Sequence, residues 1–321
     1  MKAPELNPVL RRELLERWRG PRAAFVLSAY LGVLALLLLG ARWIATSYLE
    51  QQAVDGWAPV SASGPVLGRF LLENLLAGVL GMVLFVAPGY AAAQLAGERE
   101  RRTLGLLRIT LLTPWRIVLG KLGAASAWSV LLVLVTAPLA ATAFVLGGAT
   151  VGDLVKGLLV VVVVAVAVAA MAIGISARAQ RTTGAVVLTY GMVLFLVVGT
   201  PLAAFAEFAA RDFEMRDGQR PLALYVNPFY ALADATGASS GAAFSGGMPS
   251  VLSPFALVLP GDDTLDPVGA QPLAGGFGPE APDAGRPLVW PITLAVHLAL
   301  GFLALLAATR SLGPRDGLRG T

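Results

Sequence analysis

Few residues in this chain are equipped for chemistry, and their spacing limits what they can do. Residues 237 to 241 read Gly-Ala-Ser-Ser-Gly and match the G-x-S-x-G of a nucleophile elbow. There Ser239 would attack a carbonyl with the help of a general base. The sole His is His297, so the dyad would have to be Ser239 with His297. An elbow also needs a strand before it and a helix after it, and no sheet is readable around it. The chain has no Cys, so a thiol nucleophile, a disulfide framework and a Cys-based metal site are excluded. With one His, zinc and haem sites of the usual kinds are not expected. Gly120-Lys121 is followed by Leu122 and lacks the first Gly of a phosphate loop, G-x-x-x-x-G-K-[ST]. The sequence therefore predicts no catalytic, cofactor or metal site. What remains is a cluster of charge, "GERERRTLGLLRITLLTPWRIVLGK", residues 97 to 121. On both sides of it the chain is nearly charge-free.

Composition says what must position that cluster. Hydrophobic residues make up 56% of the 321, charged residues 14%, and the mean hydropathy is +0.73. Soluble domains carry about 25% charged residues. An all-α membrane protein follows, because a helix satisfies its own backbone hydrogen bonds in hydrocarbon. Six runs reach the roughly 20 apolar residues a spanning helix needs. They cover residues 23 to 41, 70 to 96, 117 to 146, 154 to 176, 184 to 206 and 290 to 309. The first is too long and too far from the start for a cleaved signal peptide. Titratable groups are scarce inside the runs. Glu73 and Lys156 are expected near span ends, reaching the interface, and His297 as a hydrogen-bonded residue between helices. That scarcity argues against an ion-coupled transporter or a pump.

Six spans put both termini on one side. Lys2, Arg11, Arg12, Arg17, Arg19 and Arg22 precede span one, and Arg99, Arg101, Arg102, Arg108, Arg116 and Lys121 follow span two. Arg178 and Arg181 follow span four, and Arg310, Arg315 and Arg319 close the chain. These are most of its 24 basic residues. The positive-inside rule puts this face, with both termini, in the cytoplasm. "FSGGM", residues 244 to 248, echoes an ATPase signature but then lies on the outer side. The basic residues track the membrane boundary without interleaved stacking aromatics, so membrane lipid, not nucleic acid, is the expected partner.

Outside the spans, residues 1 to 22 form a cytoplasmic segment. Within it Leu10, Leu14 and Trp18 make one stripe of an interfacial helix, and Gly20-Pro21 ends it. Residues 207 to 289 form a large extracytoplasmic loop rich in Gly and Pro, holding half of the 20 acidic residues. Its apolar stretch 251 to 260 is too short to span and suits a re-entrant or interfacial element. Residues 310 to 321 are a cytoplasmic tail. The coupling loop, residues 97 to 116, is read as a short helix. Leu104, Leu107 and Leu111 face the membrane domain, Arg101 and Arg108 face water or a partner, and Pro114 ends it.

The loop resembles the coupling region of ABC-2 type transporter permeases. The corresponding residues are Glu98, Arg99 and Glu100, then Thr103-Leu104-Gly105-Leu106-Leu107, then Trp115 through Lys121. Arg102 stands where the family usually has Gly, Gly105 where it usually has an acid, and Thr113-Pro114 falls about three residues late. The opening "LNPVLRRELLERWRG" is similar to the family's interfacial helix, and "VNPFYAL", residues 226 to 232, to its outer Asn-Pro-aromatic motif. The resemblance implies a non-enzymatic permease subunit of an ABC exporter in the cytoplasmic membrane. ATP and Mg would be bound by a separate cytoplasmic ABC ATPase, and a second permease subunit, the same or a related chain, would complete the path. It implies ATPase contacts at Glu98, Arg99, Glu100, Arg101, Arg102, Thr103, Leu104, Leu107, Thr113 and Pro114. Charge reversal across Glu98 to Arg102 would then uncouple hydrolysis from transport in a folded protein. A non-transporting scaffold or sensor that docks a partner on the same loop is the reading from another class, with a secondary transporter third.

Overall fold

The computed structural model describes residues 21–54, 63–103, 113–211, 221–236 and 288–312. The expected interfacial helix before span one lies outside these residues. So do the coupling helix with Leu104 and Leu107, Ser239, the 251 to 260 stretch and the tail from 313.

Among the described residues the fold is helical, with six helices or broken helices apolar and long enough to cross a membrane: Ala23–Ser47, Leu67–Glu100, Pro114–Leu146, Val151–Arg178, Thr182–Ala209 and Val289–Leu312. Span one lies in α1 (Pro21–Val54) and span two in α2 (Ser63–Glu100). Span three is broken into α3 (Pro114–Val135) and α4 (Ala137–Leu146) at Thr136, just before Pro138, whose missing N–H cannot continue the ladder. Span four is α5 (Val151–Arg178), opened by a capping box in which Thr150 and Asp153 satisfy each other's backbone N–H. Span five is α6 (Thr182–Leu194), a π-helical turn (Phe195–Gly199) and α7 (Thr200–Ala209). A 3-10 turn (Leu222–Val226) leads into a short helix α8 (Pro228–Ala235), and span six is α9 (Val289–Leu312).

Span four is the central strut, packing on spans two, three, five and six. Its Val- and Ala-rich sequence suits that place, because small residues let backbones approach where lipid offers no hydrophobic drive. A Cβ on Gly174 would sit 2.7 Å from the Cβ of Ala304, and one on Gly157 would sit 2.5 Å from a Leu76 methyl. Span one is peripheral. Tyr30, Leu34, Leu38, Ala41 and Ala45, every three or four residues, bury one stripe against span two. Span two carries Pro88 inside its helix. Beside it the Tyr190 hydroxyl donates to the Phe85 carbonyl at 2.6 Å, in space left by Gly89.

Two titratable groups sit differently from expectation. Glu73 does not reach outward: it is buried and paired with Arg69 at 3.2 Å one turn earlier. His297 is buried as expected, but its Nδ1 lies 2.9 Å from the Thr293 carbonyl of its own helix.

Candidate functional site: a charged clamp at the basic end of span two

Span two does not stop where its charge-free run ends. Its helix runs on through Gly97, Glu98, Arg99 and Glu100, and each charge engages a different neighbour. Glu98 Oε1 accepts from Lys121 Nζ of span three at 2.7 Å, and the same ammonium donates to Gln94 Oε1 at 3.2 Å. Lys121 is 2% exposed, deep for a Lys, which is seldom fully buried without a partner.

Arg99 and Glu100 bracket the turn between spans four and five. The Arg99 guanidinium donates to the Ala179 carbonyl and, at 2.7 Å, to the Ala177 carbonyl. Those carbonyls belong to the C-terminal end of span four, where a cation complements the helix dipole. The Glu100 carboxylate accepts from the Thr182 N–H at 3.1 Å and the Thr182 hydroxyl at 2.6 Å. It thereby caps span five, where an anion is favoured. Ser176 adds a further tie, its hydroxyl accepting from the Leu95 and Ala96 N–H groups at 3.0 and 2.9 Å. Three successive residues thus fasten the end of span two to spans three, four and five.

The helix then ends in a Schellman turn. The Thr103 N–H donates to Glu98 O at 2.9 Å and the Arg102 N–H to Arg99 O at 3.1 Å. Arg102 occupies the left-handed position with φ of 58°, where Gly carries no Cβ penalty. This is the position at which the resembling family has Gly. Arg102→Gly is expected to stabilise the turn by about 1 kcal/mol, read as a raised thermal midpoint in detergent. A lowered midpoint would mean that the Arg side chain contributes more than its backbone strain costs.

Of the sequence-predicted contacts, Glu98, Arg99 and Glu100 hold the chain together, while Arg101, Arg102, Thr103 and Thr113 are exposed. Pro114 opens α3 at its first turn, where a missing N–H costs nothing. Reversing all five charges from Glu98 to Arg102 would therefore break the clamp as well as any outward surface. A test of docking belongs on Arg101 and Arg102.

A second knot closes the opposite end, built on the Asn-Pro-Phe motif. Pro201 cannot donate to the Val197 carbonyl, and the turn before it is π-helical. Asn227 fills the gap. Its Nδ2 donates to Leu196 O at 3.1 Å and to Thr200 Oγ1 at 2.8 Å, and lies 3.4 Å from Val197 O. Its Oδ1 accepts from the Tyr230 N–H at 2.9 Å and caps α8. At the far end of α8, Asp234 Oδ2 accepts from the Val289 and Trp290 N–H groups at 2.8 and 3.0 Å, capping span six. Arg69 of span two donates to the Thr236 carbonyl at 3.1 Å. So α8, with Tyr230, Ala231, Leu232 and Ala233 fully buried, joins spans two, five and six. The motif was visible in the sequence. Its acceptors were not, though Thr200-Pro201 marked a carbonyl in need of a donor.

Six spans, a buried strut and charged knots at both ends define a polytopic helical membrane protein with no built catalytic constellation among the described residues. The model of the ABC-2 family transporter protein family matches residues 29–308, and the chain belongs to that family. It is a permease component of an ABC transporter, and membership implies an ABC ATPase as partner. A comparison with curated proteins finds no match.

Proposed function

We propose that the chain is the permease subunit of an ATP-driven exporter in the cytoplasmic membrane. Both termini face the cytoplasm, and a second permease subunit, the same or a related chain, completes the path. ATP and Mg are bound and hydrolysed by the separate ATPase, which docks on residues 97 to 116. The observation that carries the reading is the clamp of Glu98, Arg99 and Glu100. A force applied to the exposed residues beyond it reaches spans three, four and five through short charged contacts. Such a linkage suits rigid-body switching between two access states.

The first test is purification of the tagged chain from its native membrane in mild detergent, with mass spectrometry of its companions. A stoichiometric soluble protein bearing a phosphate loop is expected. Absence of any such protein after cross-linking would favour a docking scaffold. The second test is Arg101→Glu with Arg102→Glu in the reconstituted complex. Transport per ATP is expected to fall about tenfold or more, while stability falls by only about 1–2 kcal/mol, the cost of two acids at the C-terminal end of span two. Unchanged coupling would remove this segment from the docking surface.

A further inference from the structure

A crevice of about 410 Å³ runs between spans four, five and six at the basic end. Its walls include Met171 and Gly174 of α5, Leu188 and Met192 of α6, and Ala304 and Ala307 of α9. Leu188 is 62% exposed and marks the side open to lipid. The volume lies within the range of about 300–1,000 Å³ typical of ligand sites. Left empty in a bilayer, such walls would forfeit their dispersion contacts.

Arg178 is among the residues that line the same crevice. A cation in the last turn of a helix ordinarily serves the terminal carbonyls. Here Arg99 already holds the Ala177 and Ala179 carbonyls. The Glu100 carboxylate is engaged with Thr182. Arg178 is exposed and makes no hydrogen bond or ion pair among the described residues. An exposed guanidinium on a residue that lines an apolar crevice can pair with a phosphate in bidentate geometry.

We propose that the crevice is a specific site for an anionic phospholipid of the leaflet on the basic side. One acyl chain lies along Met171, Leu188 and Met192, and the phosphate pairs with Arg178. This inference rests on membrane insertion alone and stands apart from ATPase docking. It places a bound lipid on the turn that Arg99 and Glu100 clamp.

The test uses the full chain, delipidated in detergent, then offered equal parts phosphatidylglycerol and phosphatidylcholine and read by native mass spectrometry. The wild type is expected to retain phosphatidylglycerol with about fivefold preference or more, because the choline cation of phosphatidylcholine offsets the charge of its phosphate and weakens the pull on Arg178. Arg178→Gln should abolish that preference. Arg42→Gln, an exposed Arg at the other membrane face, should leave it intact. Ala307→Leu, which fills the crevice, should release both lipids. Should Arg178→Gln fold poorly, Arg178→Lys keeps the charge without the fork and should show a reduced preference. Equal loss in the Arg42 and Arg178 variants would mean diffuse electrostatics and overturn the site, as would an unchanged preference in Arg178→Gln. The absence of native Cys permits one further arm. If Leu188→Cys cross-links two copies in vesicles of the same lipids, a second chain covers the crevice and the proposal fails.

Discussion

Asn227→Ala is expected to loosen the end of the bundle opposite the basic loops and to lower stability by about 2–4 kcal/mol. Loss of the Oδ1 cap on α8 accounts for about 1 kcal/mol of this. The rest comes from the span-five carbonyls, which would lose their donor while remaining buried. A hydroxyl from Thr200 still reaches the Leu196 carbonyl at 2.6 Å, and unfolded states within a bilayer find partners of their own, so the lower half of the range is favoured. Asn227→Asp separates the two roles. It keeps the acceptor toward Tyr230 but removes the Nδ2 donor and turns a carboxylate toward carbonyls. It should be no more stable than the Ala variant. Thermal unfolding in detergent gives the magnitude. Hydrogen exchange gives the location, with faster exchange in the π-helical turn and α8 and little change near Glu98. An Asn227→Ala protein within about 0.5 kcal/mol of wild type would refute the knot.

The contrast between the two knots explains what the sequence made legible. Six spans can be read because insertion depends on length and hydropathy, which are local properties. The ends of those spans were harder. Span two was expected to stop near residue 96, where charge begins, yet its helix reaches Glu100. It continues because each added charge has a counterpart in place. For Glu98 that counterpart is the Lys121 ammonium of span three, but for Arg99 and Glu100 it is chiefly the backbone carbonyls of Ala177 and Ala179 and the N–H of Thr182, roughly 80 residues away in the chain. Backbone groups leave no signature in a side-chain sequence. The same run therefore reads as an outward docking patch from sequence and, in its first half, as an inward clamp from structure. Glu73 is the opposite case. Its partner Arg69 lies at i−4, a spacing readable without coordinates, although the burial of the pair was not.

Lys121 and Glu98 carry the other large expected effect. Lys121→Met alone leaves Glu98 Oε1 without its cation, while Glu98 Oε2 has no partner among the described residues. Removing one member of a buried pair costs about 3–5 kcal/mol. The Glu98 side chain retains 23% of its exposure, so water screens part of the loss and about 2–4 kcal/mol is expected. Glu98→Gln alone should also lower stability, because the more buried Lys121 ammonium loses its counter-charge, although Gln94 Oε1 still accepts from it. The double variant Glu98→Gln with Lys121→Met removes both charges and should return to within about 1 kcal/mol of wild type, as buried pairs replaced together often do. A double-mutant cycle in detergent measures this directly. Additive losses would mean that the two side chains do not act as a pair. The cycle also separates stability from function. If the tie from span two to span three transmits force, the stable double variant should dock its ATPase normally yet transport poorly. Restored stability with full transport would leave Lys121 and Glu98 a packing device, and force would have to pass through Arg99 and Glu100 into the turn between spans four and five.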